Sequence, residues 1–128
     1  MKTIIVVDDS AVLRTTIENA LESAGYEVLA TADGSPALFK VLEEGKVPDA
    51  ILLDMFFPEE SGLDILRSLK AKYPKIKVLV ITGMNKQSLN KEIIESGASD
   101  ILYKPFDMED LTLALKKLAK YFCRRSYE

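Results

Sequence analysis

Apolar residues come along this chain in short blocks, separated by acids, glycines and prolines, and the blocks alternate between two periods. Thr3 to Val7 is an unbroken, mostly β-branched run, too short for a helix and apolar on both faces, which predicts a central strand covered on each side. Asp8 and Asp9 close it. From Ser10 to Ala24 the residues Leu13, Ile17, Ala20, Leu21 and Ala24 form one helical stripe, and Gly25 is placed to end that helix. The same alternation gives a strand over Tyr26 to Thr31, a helix over Pro36 to Glu44, and a strand over Ala50 to Leu53 ending in Asp54. A helix over Leu63 to Lys72 precedes Pro74, and a strand over Val78 to Ile81 ends at Thr82. Leu89 to Ser96 reads as a helix stopped by Gly97, Ile101 to Tyr103 as a short strand ending at Lys104, and Leu111 to Phe122 as the closing helix.

Five strands strictly alternating with five helices through short connections imply right-handed crossovers and a parallel sheet covered on both faces. The fold class expected is α/β, a doubly wound five-stranded parallel sheet in the order 2-1-3-4-5. In such folds ligands sit beyond the carboxyl ends of the strands, where strand order reverses, so the residues ending the first and third strands should meet.

Composition narrows the partners. The chain has 128 residues, enough for one well-buried core and too few for two. Lys and Arg number 17 against 20 Asp and Glu, a net charge of −3 with no basic stripe, which argues against direct contact with nucleic acid. No apolar run approaches the roughly 18 residues needed to cross a bilayer, so no membrane insertion is expected. Asp8 and Asp9 cut the opening apolar run below the ~7 residues of a leader's core, and a cytoplasmic location is expected. The single Cys123 allows no internal disulfide and no cysteine metal cluster, and reads as a plain helix residue. The absence of histidine removes His-based triads and zinc sites; any phosphohistidine must belong to another molecule.

The strand ends gather Asp8 and Asp9, Asp54, Thr82 and Lys104. Two carboxylates about 5 Å apart repel by roughly 3 kcal/mol at an effective dielectric near 20, so three bare acids would oppose folding. Lys104 supplies one positive charge, and a hard divalent ion with oxygen ligands, Mg²⁺ foremost, would supply the rest. An aspartate beside such cations is equipped to attack phosphorus. Asp54, alone at the end of the central strand and followed by Pro58 and Gly62, is the best candidate nucleophile, and Asp8 with Asp9 forms a metal-holding pair. Gly83 leaves space for a phosphoryl group beside the Thr82 hydroxyl.

Taken together and in order, the Asp8-Asp9 pair, Asp54 with Pro58 and Gly62, Thr82-Gly83 and Lys104-Pro105-Phe106 resemble a response-regulator receiver domain of the chemotaxis-regulator type, from about Lys2 to Phe122. The resemblance implies a flavodoxin-like three-layer (βα)5 domain over residues 1–122 and a short tail over 123–128. It implies Asp54 as phosphoacceptor and metal ligand, Asp9 as a direct Mg²⁺ ligand, Asp8 as a ligand through water and the main-chain carbonyl of Phe56 as a further ligand, with Mn²⁺ able to substitute. Thr82 and Lys104 would bind the phosphoryl oxygens, and the Lys104–Pro105 bond would be cis. The donor would be a phosphohistidine on a sensor histidine kinase or histidine phosphotransfer protein. Such a domain is a switch, not an enzyme of other substrates: it catalyses only its own phosphorylation and dephosphorylation, and reports to a downstream protein. With no output domain in the sequence, and unless the chain is a piece of a longer protein, the report is expected to leave through surface contact, on the face that the resemblance implies around Lys91, Tyr103 and Lys117.

Some positions depart from the family's pattern. The aromatic residue usual three positions before the lysine is Ile101 here, with Tyr103 expected on the same strand face. Phe56 and Met84 are apolar where many relatives carry polar groups, which predicts slow loss of the phosphoryl group to water. Val12 lies about 140° round the first helix from Ile17 and should be exposed near Asp9, where it, Pro105 and Phe106 could form a docking patch for the donor. Lys116, Lys117 and Lys120 read as a solvated helix face, with a partner surface as the alternative. An aspartate-nucleophile phosphohydrolase would carry a second acid where Phe56 stands, and a flavodoxin-like electron carrier would not set two acids against a flavin phosphate. A phosphorylation-independent interaction module would not need the full acid, hydroxyl and lysine set.

Overall fold

The computed structural model describes the backbone of residues 2–126 and the side chains of residues 2–119. Its elements alternate as β1 (Thr3–Val7), α1 (Ala11–Ser23), β2 (Glu27–Ala32), α2 (Ser35–Glu43), β3 (Ala50–Asp54), α3 (Gly62–Lys72), β4 (Lys77–Thr82), α4 (Gln87–Glu95), β5 (Asp100–Tyr103) and α5 (Met108–Ser126). All strand pairs are parallel, and the sheet order is β2-β1-β3-β4-β5. This is the flavodoxin-like doubly wound architecture that the alternating pattern predicts.

Two apolar layers hold the sheet between its helices. Ile5, Val7, Ile51, Leu53, Val78 and Val80 point to one side and pack with Leu38, Leu66 and Ile93 from α2, α3 and α4. Ile4, Val6, Leu52, Leu79 and Ile81 point to the other and pack with Ile17 and Leu21 of α1 and Leu111 and Leu115 of α5. Alternate residues of one strand thus feed both cores, which is why β1, β3 and β4 are continuous apolar runs. β2 lies at the edge and is only part-buried, with a register shift against β1 between Ile4 and Ile5.

Helix ends differ from the periodicity where a cap, not an apolar residue, marks the start. Ser10 is the N-cap of α1, its side chain accepting from the Leu13 N–H at 3.2 Å, and Ala24 is the exposed C-cap beyond the buried stripe of Ile17 and Leu21. α5 begins at Met108, not Leu111, because Asp107 and Asp110 accept from each other's N–H at 2.8 and 3.1 Å. Gly25, Gly45 and Gly97 follow α1, α2 and α4 at φ of 95°, 94° and 111°, left-handed values that stop a helix at small cost only in glycine. α5 continues to Ser126, and Cys123, Lys120 and the expected tail all fall where side chains or whole residues lie outside the described set.

Candidate functional site

β1 and β3 are neighbours, so their carboxyl ends deliver Asp8, Asp9 and Asp54 to one place. Asp8 is 3% exposed and Asp54 5%, whereas Asp9 is open to solvent. Carboxylate oxygens of the three lie within 4.8 Å of one another. Asp54 Oδ1 accepts from the Met55 N–H at 2.9 Å and faces Lys104 Nζ at 3.4 Å, a long contact for a charge-assisted bond. Lys104 follows β5, its own N–H donating to the Thr82 carbonyl at 2.9 Å, and its peptide bond to Pro105 is cis.

Thr82 is completely buried at the end of β4, next to the strand that carries Asp54. Its Oγ1 accepts from the Met84 N–H at 3.0 Å, which leaves the hydroxyl proton to be donated elsewhere. Asp8 Oδ1 accepts from the Ser10 N–H at 2.8 Å. Burial raises the Asp8 pKa above the ordinary carboxylate range, with Asp54 and Asp9 pushing the same way, while the Ser10 N–H and Lys104 oppose them. This carboxylate is therefore held in the fold chiefly against the cost of its own burial, with the neighbouring acids adding to it.

After Asp54 the chain turns back on itself. Gly62 N–H donates to the Met55 carbonyl at 3.1 Å, and Phe56 bridges to Ser61. A side chain at Gly62 would collide with the Met55 backbone, so this position admits glycine alone and the loop keeps its tight closure. Phe56 is about half exposed at the head of the loop. Two apolar residues close to the site in sequence are open to solvent: Val12 is 79% exposed, as its place on α1 predicts, and Met84, two residues past Thr82, is 38% exposed.

Each sequence-predicted residue stands at a strand end or in this loop, and Asp8, Asp9, Asp54 and Lys104 converge directly. Two contributors were not visible in the pattern. Arg14, one turn into α1, donates from Nη1 to the Asp8 carbonyl at 2.6 Å and steadies the β1–α1 turn. Glu60 reaches α2, where its carboxylate accepts from both the N–H and the hydroxyl of Ser35 at 2.9 and 2.6 Å. The available signal was Gly34, a helix-start residue with no side chain to cap with.

An octahedral Mg²⁺ takes oxygen ligands at about 2.0–2.1 Å, which spaces neighbouring ligand oxygens about 3 Å apart and opposite ones about 4 Å. The three carboxylates are hard oxygen donors within 4.8 Å of one another, a donor set of the chemistry and spacing that could hold such an ion. Doubly wound topology with acids at its switch point and a lysine and threonine on the adjoining strands defines a receiver-type domain. The sequence model of the response regulator receiver domain family matches residues 4–116, and the chain belongs to that family. It is 36% identical over 120 residues to the chemotaxis protein CheY of Listeria monocytogenes, spanning 94% of this chain and 100% of that protein. The crystallised chemotaxis protein CheY4 of Vibrio cholerae superposes with a TM-score of 0.82 at 30% identity, over 91% of this chain and 98% of that one. The probable transcriptional regulatory protein TcrX of Mycobacterium tuberculosis is 32% identical over 92% of this chain but only 50% of its own length. The chain is thus a response-regulator receiver domain of two-component signalling. Among the described residues, no helix is long and apolar enough to cross a membrane.

Proposed function

We propose that Asp54 accepts a phosphoryl group from a phosphohistidine on a sensor histidine kinase or histidine phosphotransfer protein, and that the change is relayed to a downstream protein. The observation that carries this reading is the meeting of three carboxylates within 4.8 Å with an ammonium 3.4 Å from one of them, at the switch point of the sheet. An Asp54 oxygen forms the new O–P bond as the N–P bond of the donor breaks, and the electron pair leaves with the imidazole nitrogen, which takes up a proton from solvent. Asp8, Asp9, Asp54 and the Phe56 carbonyl would hold Mg²⁺. When bound, the ion offsets the charge of the acids and of the transferring oxygens.

Lys104, already turned to Asp54, is placed to follow a phosphoryl oxygen, and the free Thr82 hydroxyl proton to donate to another. Burial of Asp54 and Thr82 strengthens each of these interactions by excluding water. The domain then acts only on itself, as a cytoplasmic switch.

Mass spectrometry of the wild-type chain and an Asp54→Ala variant, after acetyl phosphate or a phosphorylated kinase with Mg²⁺, tests this. The expected result is a magnesium-dependent gain of about 80 Da in the wild type alone. No gain from either donor would replace the reading with a phosphorylation-independent interaction module.

A further inference from the structure

Helix α2 starts without a cap of its own. Its N-cap is Gly34, and Pro36 in the first turn has no N–H to satisfy. The Ser35 N–H is instead taken by Glu60, from the loop that follows Asp54, with one carboxylate oxygen at 2.9 Å and the other on the Ser35 hydroxyl at 2.6 Å. The carboxylate also lies at the positive end of the helix, where a negative charge is stabilised. Gly34 is the residue that lets it in: a Cβ there would stand 2.7 Å from Glu60 Oε2. A helix start with its cap missing and a loop acid seated in its place form one two-part device.

The device acts on the acceptor loop. Glu60 adjoins Ser61, Ser61 bridges to Phe56, and Phe56 lies two residues past Asp54. Among the described residues, Glu60 is the one side chain of Phe56–Ser61 hydrogen-bonded to another element. Glu60 and the neighbouring Phe57, Pro58 and Glu59 wall a cleft of about 240 Å³ whose other side is Asp9 and Asp33. The loop that presents the Phe56 carbonyl is therefore fixed at its base by Gly62 and Met55, and at its tip by α2.

We infer that Glu60 is a positioning residue that sets the Mg²⁺ affinity of the site by clamping the acceptor loop to the start of α2. The inference rests on the proposed reading of the acids as a magnesium site. Residues that orient metal ligands without touching the metal typically change affinity by about 10- to 100-fold when removed.

Amide hydrogen exchange of the metal-free protein and calorimetric titration with magnesium chloride test it on wild type, Glu60→Ala, Glu60→Gln and Ser35→Ala. Glu60→Ala should speed exchange at Ser35 and at Gly62 and weaken Mg²⁺ about 10-fold. Ser35→Ala keeps the backbone bond and should fall between wild type and Glu60→Ala. Glutamine can accept from the Ser35 N–H and donate to its hydroxyl, so Glu60→Gln should stay within about threefold of wild type.

Unchanged exchange and Mg²⁺ affinity in both Glu60→Ala and Ser35→Ala would overturn the clamp. So would a Glu60→Gln variant as weak as Glu60→Ala, since the charge alone would then be responsible. Phosphoryl uptake by the wild type is read separately by mass. Intact uptake with an unaltered Glu60→Ala defeats the inference alone, whereas failed uptake with the expected exchange and titration pattern defeats the phosphoacceptor reading and leaves the clamp standing. A wild type that binds no Mg²⁺ overturns both.

Discussion

β3 has an aspartate at each end, Asp49 just before it and Asp54 as its last residue, and the fold treats the two in opposite ways. Asp49 is exposed and fully engaged: its Oδ2 accepts from the N–H of Lys2 at 2.8 Å, the N–H of Thr3 at 3.0 Å and the Thr3 hydroxyl at 3.1 Å. Those bonds, the Lys2 and Thr3 backbone foremost, hold its pKa below the ordinary range. Asp54 is buried with one backbone donor and a long contact to Lys104, and shares its pocket with Asp8, whose pKa burial raises. One end uses a carboxylate to tie β1 to β3. The other gathers carboxylates that burial and one another's charge disfavour, and that a cation would stabilise, which is the sense in which a site is preorganised.

The largest effect expected at the reactive end is on rate. Replacing Lys104 with Ala leaves Asp54 without its ammonium and should slow phosphoryl uptake about 100-fold at saturating Mg²⁺, read by the mass gain over time. Next comes stability. Removing one of the clustered charges with Asp8→Asn should raise metal-free stability by about 1–2 kcal/mol in urea unfolding, less than the roughly 3 kcal/mol repulsion of two bare carboxylates about 5 Å apart because Lys104 and the Ser10 N–H already offset part of the cost of burying this charge among acids. Wild type should recover about 2.7 kcal/mol from Mg²⁺ at a hundred times its Kd, and the variant much less. An Asp8→Asn protein less stable than the metal-free wild type would mean that the acids are not in conflict, and the contrast between the two ends would collapse. A smaller change concerns the half-exposed Phe56. Phe56→Asn gives water a polar neighbour worth about 1 kcal/mol, and should speed loss of the phosphoryl group roughly fivefold.

Much of this was legible in the sequence because the code in use was short-range. Alternating apolar blocks specify five strands and five helices, and with the handedness of βαβ units they leave few sheet orders, which is enough to bring Asp8, Asp9, Asp54, Thr82 and Lys104 to one end of the sheet. Helix starts were less readable: Asp107 with Asp110 begins α5 three residues ahead of the apolar stripe, since a capping bond carries no hydrophobic signal. The Glu60–Ser35 contact was unreadable for another reason. It joins residues 25 apart in sequence, and its sequence trace is an absence, a glycine where a capping side chain is usual. Periodicity reports which face a residue covers; it is silent on a polar pair that meets across a loop.

The smallest effect sharpens the comparison from its quiet end. Asp49→Asn keeps the shape of the side chain but gives up the charge behind three accepted hydrogen bonds. Because those bonds are exposed, the loss near neutral pH should be only about 0.5–1 kcal/mol. Its sign is nonetheless opposite to that of Asp8→Asn, although both changes remove one negative charge from a chain of net charge −3. Net charge therefore cannot explain the pair; local partnership must. The pH dependence carries the same distinction. A carboxyl whose folded pKa lies below its unfolded value adds stability that is complete above the unfolded value, near 3.8, and is lost as pH falls through the lower folded value. The gap between wild type and Asp49→Asn in urea midpoint should thus be level from neutrality down to about pH 5 and close below pH 4. A gap that widened on acidification would show that Asp49 is held by something other than its ionised form, and β3 would no longer have one settled and one poised end.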